Sequence, residues 1–305
     1  MHLRHIRASL LLPILAAIGM SACREETKVA KRLIAQCDKG DVKACNDVAT
    51  RFEKGRYVLK DPTRAALLYK KSCTGAVGDA CASLGLIYLH GNEVKVDSAQ
   101  AVSLFRQGCD HGGLNGCAQL GIFHRKGVRV PHDEVLATSL FKRACDGANL
   151  SGCANLGVSY ESGLGITQDF TKARDLFKKS CDAKIALGCV GLGRLYMTGS
   201  GVARNDSVGA DYFRQACDKR EMDGCFLLAK SAETGVGVKQ DYVRAIELYR
   251  EACEDAHPES CFRAAELYGK GAGSYRSPRR SNEMMERACK LGYAEACTKP
   301  KLATS

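Results

Sequence analysis

The sequence predicts an all-α fold, an αα-hairpin solenoid of 36-residue units, and three observations carry that prediction. A Cys-x7-Cys frame recurs every 36 residues without insertion or deletion: Cys37/Cys45, Cys73/Cys81, Cys109/Cys117, Cys145/Cys153, Cys181/Cys189, Cys217/Cys225, Cys253/Cys261 and Cys289/Cys297. Apolar residues between the pairs fall at helical spacing. A glycine and then a helix-capping residue recur at fixed places in every unit. A fixed period of this length marks stacked supersecondary units, and such an array grows by addition, so the 305 residues read as one array rather than two domains.

The chain opens on His2, Arg4, His5 and Arg7, followed by an apolar run from Ala8 to Met20 that is too short to span a bilayer. Residues 1–22 therefore read as a secretory signal peptide of the lipoprotein type. Met20-Ser21-Ala22-Cys23 resembles a bacterial lipobox, which implies that Cys23 is lipidated and becomes the new N-terminus. Met20 replaces the usual leucine, which leaves an ordinary signal-peptidase cut open. Parity favours lipidation, since Cys23 alone of seventeen cysteines lies outside the frame. Arg24, where an aspartate is associated with inner-membrane retention, implies the outer membrane. The expected location is the bacterial cell envelope, as a periplasm-facing outer-membrane lipoprotein touching the membrane only through its anchor. If Cys23 stays unmodified, the protein is soluble, periplasmic or secreted.

After a linker at 23–28, Val29 to Gln36 forms a lone helix, half a unit, and seven full units follow. The solenoid thus spans 29–298 and leaves a tail at 299–305. Counting from the second cysteine of a pair, positions three and four are usually large apolar then small, as in Leu84-Gly85, Leu156-Gly157 and Leu192-Gly193. Position seven is mostly aromatic, as in Phe52, Tyr88, Tyr160 and Tyr268. These spacings define one helix face. Position ten is glycine in every unit, from Gly55 to Gly271, and ends helix A, because a helix C-terminus commonly needs a left-handed residue. Helix B opens at Asp61, Asp97, Asp133, Asp169, Asn205, Asp241 and Ser277, all able to cap free N–H groups. Small residues four further on, such as Ala65 and Ala173, let backbones approach, while pairs such as Leu104-Phe105 and Leu176-Phe177 fill the layer between units. The last unit, with Ser277, Ser281 and Met284-Met285, departs from the pattern as a capping unit should.

The spacings Leu-Gly-x-x-Tyr-x-x-Gly and Asp-x-x-x-Ala resemble the Sel1-like repeat, a relative of the tetratricopeptide unit. With the regular cysteine pair, the chain resembles the secreted cysteine-rich Sel1-like proteins, also called the Hcp β-lactamase family, from Val29 to Cys297. The resemblance implies the fold and, as the family's name suggests, an alternative activity of β-lactam binding or hydrolysis.

Two residues eight apart on one helix lie about 12 Å apart, beyond disulfide reach, so each pair must straddle a turn between one helix B and the next helix A. Joining the second cysteine of one pair to the first of the next, as in Cys45 to Cys73, would strand Cys37 and Cys297. The local register uses all sixteen. So many paired cysteines belong to an oxidising compartment. Structural zinc prefers Cys-x2–4-Cys and redox sites use CxxC; this frame has neither spacing, so no metal or cofactor is expected.

The net charge of +11 is scattered among carboxylates, without an RNP, helix-turn-helix or zinc-finger pattern, which argues against nucleic-acid partners. Ser139-Leu140-Phe141-Lys142 matches the Ser-x-x-Lys of serine β-lactamases. However, the serine column elsewhere reads Leu67, Ser103, Asp175, Asp211, Glu247 and Glu283, and neither Ser-Asp-Asn nor Lys-Thr-Gly accompanies it. No catalytic residue is assigned. His124 takes the aromatic column, and His90, His111, His132 and His257 lie in different units, so no histidine pair has ligand spacing. A surface remains. Helix A positions two, five and nine should line a concave groove, with Lys126, Asn155, Arg194, Lys230 and Arg263 as candidate binding residues. Their basic spots suit an extended peptide of an envelope protein or an acidic, peptidoglycan-like polymer, against the plainer reading of an ordinary solvated face.

Overall fold

The computed structural model describes residues 28–91, 94–274 and 276–303. The expected signal peptide, Cys23 and the expected linker up to residue 27 lie outside the described residues. Helices of nearly uniform length succeed one another: α1 (28–38), α2 (Val42–Lys54), α3 (Pro62–Thr74), α4 (Gly78–His90), α5 (Ser98–Asp110), α6 (Leu114–Lys126), α7 (Glu134–Asp146) and α8 (Leu150–Ser162). Then come α9 (Phe170–Asp182), α10 (Ala186–Thr198), α11 (Asp206–Cys217), α12 (Met222–Thr234), α13 (Tyr242–Glu254), α14 (Pro258–Lys270), α15 (Pro278–Lys290) and α16 (Ala294–Thr298). Even-numbered helices are helix A of the repeat and odd-numbered ones helix B.

Local chemistry sets these boundaries. Asp61, Asp97, Asp169, Asn205, Asp241 and Ser277 each accept the N–H three residues on, at 2.8–3.4 Å, and so start helix B. Each full helix A stops on its left-handed glycine, with φ from +62 at Gly127 to +77 at Gly235. The chain divides into two compact units, the first ending at Asp133 and the second beginning at Glu134.

In the first unit α2 to α6 pack each on the next, over a core that includes Val48, Phe52, Tyr69, Leu84 and Ile87. Disulfides Cys37–Cys45, Cys73–Cys81 and Cys109–Cys117 join each helix B to the following helix A. In the second unit α7 to α16 pack in the same succession, around Phe177, Leu192 and Leu195, then Leu248, Tyr249 and Tyr268, then Phe262, Ala288 and Ala296. Its clips are Cys145–Cys153, Cys181–Cys189, Cys217–Cys225, Cys253–Cys261 and Cys289–Cys297. All eight pairs hold Cα atoms 4.4–4.8 Å apart, within disulfide reach. Each ring should stabilise the fold by about 2–3 kcal/mol on the chain-entropy account.

The small residue of helix A has a steric cause. A Cβ on Gly85, Gly157 or Gly193 would stand 2.7, 2.7 or 2.4 Å from the ring of Phe105, Phe177 or Phe213 on the following helix B. A second glycine column, unread in the sequence, appears in the second unit at Gly165, Gly201 and Gly237. There a Cβ would come within 2.1, 2.8 and 2.2 Å of atoms of Glu134, Phe170 and Asp206, at the start of the preceding helix B. These loops therefore seat backbone on backbone. In the first unit the same place is taken by Tyr57 and Arg129, which hold the left-handed conformation (φ 61 and 62) despite their side chains.

Candidate binding face

Helix A exposes its side chains in graded rows. In the second unit, position nine is exposed on all four full A helices, as Ser162, Thr198, Thr234 and Lys270. Position five is half-buried at Val158, Arg194 and Glu266 and exposed at Lys230. Position two forms the floor: Asn155 and Gly191 are buried, Leu227 and Arg263 half-buried.

The charges on this face are paired with one another. Glu161 at position eight of α8 accepts both Arg194 Nε (3.0 Å) and Arg194 Nη2 (2.6 Å) from α10, a bidentate bond that links consecutive repeats. Glu233 on α12 accepts Arg263 Nη2 of α14 at 2.5 Å and the Tyr249 hydroxyl at 2.8 Å, while Arg263 Nη1 reaches Glu266 at 2.6 Å. At the other end of α14, His257 caps the helix: its Nδ1 accepts the Ser260 N–H at 3.2 Å, and its Nε2 lies 3.3 Å from Asp223 of α12. The bond from His257 holds the Asp223 carboxyl below its usual range, with the Arg194 charge adding to the effect.

Arg194 and Arg263 are therefore engaged cations, not the open basic spots that the sequence suggests. Asn155 is turned inward, 7% exposed, with its amide donating to the Ser151 carbonyl at 2.9 Å, because position two lies close to the packed face. Lys230 stays exposed in the second unit. Lys126 is exposed in the last turn of α6, in the first unit. Glu161 and Glu233 escaped the sequence reading because position eight lies outside columns two, five and nine. The signal was present as Glu and Arg 33 or 30 residues apart, close to one repeat length.

A family model described as Sel1 repeat matches residues 42–76, 78–113, 114–149, 150–184, 186–220, 223–257 and 258–293. The chain belongs to the Sel1 repeat family. Among solved structures, this Sel1 repeat chain is similar to a protective antigen, c5321, present in uropathogenic Escherichia coli and displaying an SLR fold. That match has 26% identity and a TM-score of 0.58, over 88% of this chain and 57% of that one. A Sel1 repeat protein from Oxalobacter formigenes matches at 18% identity and a TM-score of 0.60, over 90% of this chain and 80% of its own. Cysteine rich protein B of Helicobacter pylori shares 27% identity over 40% of this chain and 88% of its own, with a TM-score of 0.33. No curated protein matches the chain. This chain thus spans 57% of the length of the Escherichia coli antigen.

The β-lactamase-like motif of this Sel1 repeat protein lies on the outer side of α7. Ser139 Oγ donates back to the Leu136 carbonyl at 2.8 Å, and Lys142 Nζ is bonded to Asp146 at 2.6 Å, both in exposed positions. That bond raises the Lys142 pKa, the reverse of what a general base requires. Buried His124, 6% exposed, sits with Nδ1 3.2 Å from the Pro131 carbonyl and serves packing. Among the described residues no group of three or more His, Cys, Asp or Glu is placed to hold a metal ion, and no helix is long and apolar enough to cross a membrane.

Proposed function

We propose that this Sel1 repeat chain is an exported scaffold whose helix A face in the second unit receives an extended segment of another envelope protein. The observation that carries the reading is the graded face of α8, α10, α12 and α14: an exposed row of Ser162, Thr198, Thr234 and Lys270 above half-buried charges paired among themselves. The exposed hydroxyls can bond a peptide backbone directly, and the ions beneath them, already paired, present no uncompensated charge to desolvate. An acidic polymer needs a run of unpaired cations, whereas Arg194 and Arg263 are ion-paired and the exposed Lys230 and Lys270 stand on separate helices, so a peptide fits better. Eight disulfides suit an oxidising, extracytoplasmic setting, where a lipidated Cys23 would tether the array.

The test is photo-crosslinking in cells from Thr198 and Thr234, with Lys230→Glu as the face variant and Lys178→Glu on the outer side of α9 as control. A defined adduct that survives the control and falls about tenfold in the face variant supports the reading. Equal crosslinking from an outer helix B position overturns it. Radiolabelled fatty-acid incorporation, compared with Cys23→Ser, tests the anchor separately.

A further inference from the structure

Fourteen disulfide-bonded cysteines are 0–7% exposed. The remaining pair, Cys289–Cys297, differs: Cys297 lies exposed on α16 and Cys289 is half-buried at the end of α15. Nucleophilic access, not spacing, separates this bond from the other seven, since thiol–disulfide exchange requires approach to a sulfur.

Little else holds the segment that this bond closes. α16 has five residues, far too few for an isolated helix to persist. It is seated by Ala296, 4% exposed, by the Tyr293 ring 4.8 Å from that of Phe262, and by the Tyr293 N–H on the Ala288 carbonyl at 3.0 Å. The tail beyond it is held at Leu302, whose N–H and carbonyl each bond the Asn282 side chain at 2.8 Å. The same place on earlier B helices reaches the loop of the next repeat: Thr138 donates to the Leu164 carbonyl at 3.0 Å and Arg174 to that of Gly201 at 3.4 Å. On α15 the tail thus occupies the place that the following loop takes on α7 and α9.

We propose that Cys289–Cys297 is a thiol-exchange site that latches this C-terminal cap. A thiolate of a dithiol reductant attacks Cys297 Sγ, the S–S bond breaks, a mixed disulfide forms on Cys297, and Cys289 leaves as a thiolate that takes a proton from water. The reductant's second thiolate then attacks its own sulfur in the mixed disulfide. It departs as a disulfide, having supplied two electrons, and Cys297 leaves as a thiolate that likewise takes a proton from water. With the latch open, α16 and the tail leave Phe262 and Ala288, which are 4% and 0% exposed in the closed form. The buried disulfides stay closed and the array keeps its fold.

The experiment treats the oxidised full chain with limiting dithiothreitol, traps thiols with a maleimide, maps them by mass spectrometry, and follows hydrogen exchange in parallel, with label on Cys23 counted separately. Expected first labels are Cys289 and Cys297, at least about tenfold faster than any other pair, because buried sulfurs react only through local opening. Exchange should quicken in 292–303 and stay unchanged in α8 to α13. First labelling of a buried pair, or of all pairs together, overturns the site. Selective labelling with unchanged exchange at 292–303 overturns the latch. A Cys289→Ser/Cys297→Ser variant should show the fast exchange without reductant, and retained protection in it equally overturns the latch.

Discussion

The Tyr249 hydroxyl donates to Glu233 at 2.8 Å, and Tyr69 makes the same bond to Glu53, also at 2.8 Å and across the same separation of 16 residues. Where the helix B position is Phe105, Phe141 or Phe213, the facing residue is Leu89, Arg125 or Met197. A hydroxyl is thus introduced only where a carboxylate waits to accept it, as a buried donor demands. Glu161 faces Phe177 and takes Arg194 instead.

Removing the two donors to Glu233 should have unequal effects. Tyr249→Phe deletes one hydroxyl and leaves Glu233 its arginine, an expected cost of about 1 kcal/mol. Arg263→Ala leaves a half-buried carboxylate without its charged partner and should cost about 2–3 kcal/mol. Denaturant midpoints of the two single variants and the double variant measure both costs and their coupling. Equal losses would show that the ion pair adds nothing to the hydroxyl bond.

Alkaline stability should follow the same two tyrosines. Burial first, then the carboxylate bond, raises the pKa of Tyr249; burial likewise dominates at Tyr69, with Glu53 adding and Thr50 opposing. An unfolded tyrosine ionises near pH 10 while these folded ones do not, so the unfolded state loses protons first. Their contribution is complete below about pH 10 and declines as pH rises beyond it. Absorbance at 295 nm should show two hydroxyls titrating only with unfolding, and Tyr69→Phe/Tyr249→Phe should flatten the alkaline fall in melting temperature.

Gly193→Ala separates helix propensity from packing. In a helix interior, alanine is favoured over glycine by about 1 kcal/mol. Here the new Cβ would stand 2.4 Å from the Phe213 ring and 3.0 Å from the Gly209 carbonyl, in a layer where Phe213 is 3% exposed. Overpacking of this kind costs about 1–3 kcal/mol, so the variant should be destabilised on balance. A raised thermal midpoint would mean that the ring yields.

The helices were legible because the start of helix B and the end of helix A each rest on a residue with a local role, repeated in register: Asp169 binds the Lys172 N–H three residues away, and Gly163 closes α8 in the left-handed conformation. The face was only partly legible. Spacing alone places position two outward, but Asn155 is buried, and the role of Arg194 depends on Glu161, a whole repeat less three residues away. Such partners follow from how neighbouring A helices align, which a single helical wheel does not contain. The different exposure of Cys297 was hidden for a related reason. All eight pairs share one spacing, and spacing alone does not say what packs over each sulfur.

The two glycines that follow helix A should differ sharply when replaced by alanine. Gly235 closes α12 at φ +77, and an added Cβ would meet nothing nearer than the Gln240 Cβ at 3.3 Å. Gly235→Ala therefore carries chiefly the left-handed cost of about 1 kcal/mol. Gly237, at φ +78, has the same backbone requirement, but its Cβ would lie 2.2 Å from the Asp206 carbonyl oxygen and 3.2 Å from the Ala210 Cβ. Relief requires the loop to lift from the start of α11, so Gly237→Ala should cost at least about 2 kcal/mol more than its neighbour. Chemical denaturation of both variants measures the difference, with hydrogen exchange at 205–210 reporting whether the loop has lifted. Equal costs would mean that Gly237 is held by its φ alone, and that seating of the loop on α11 contributes nothing to stability.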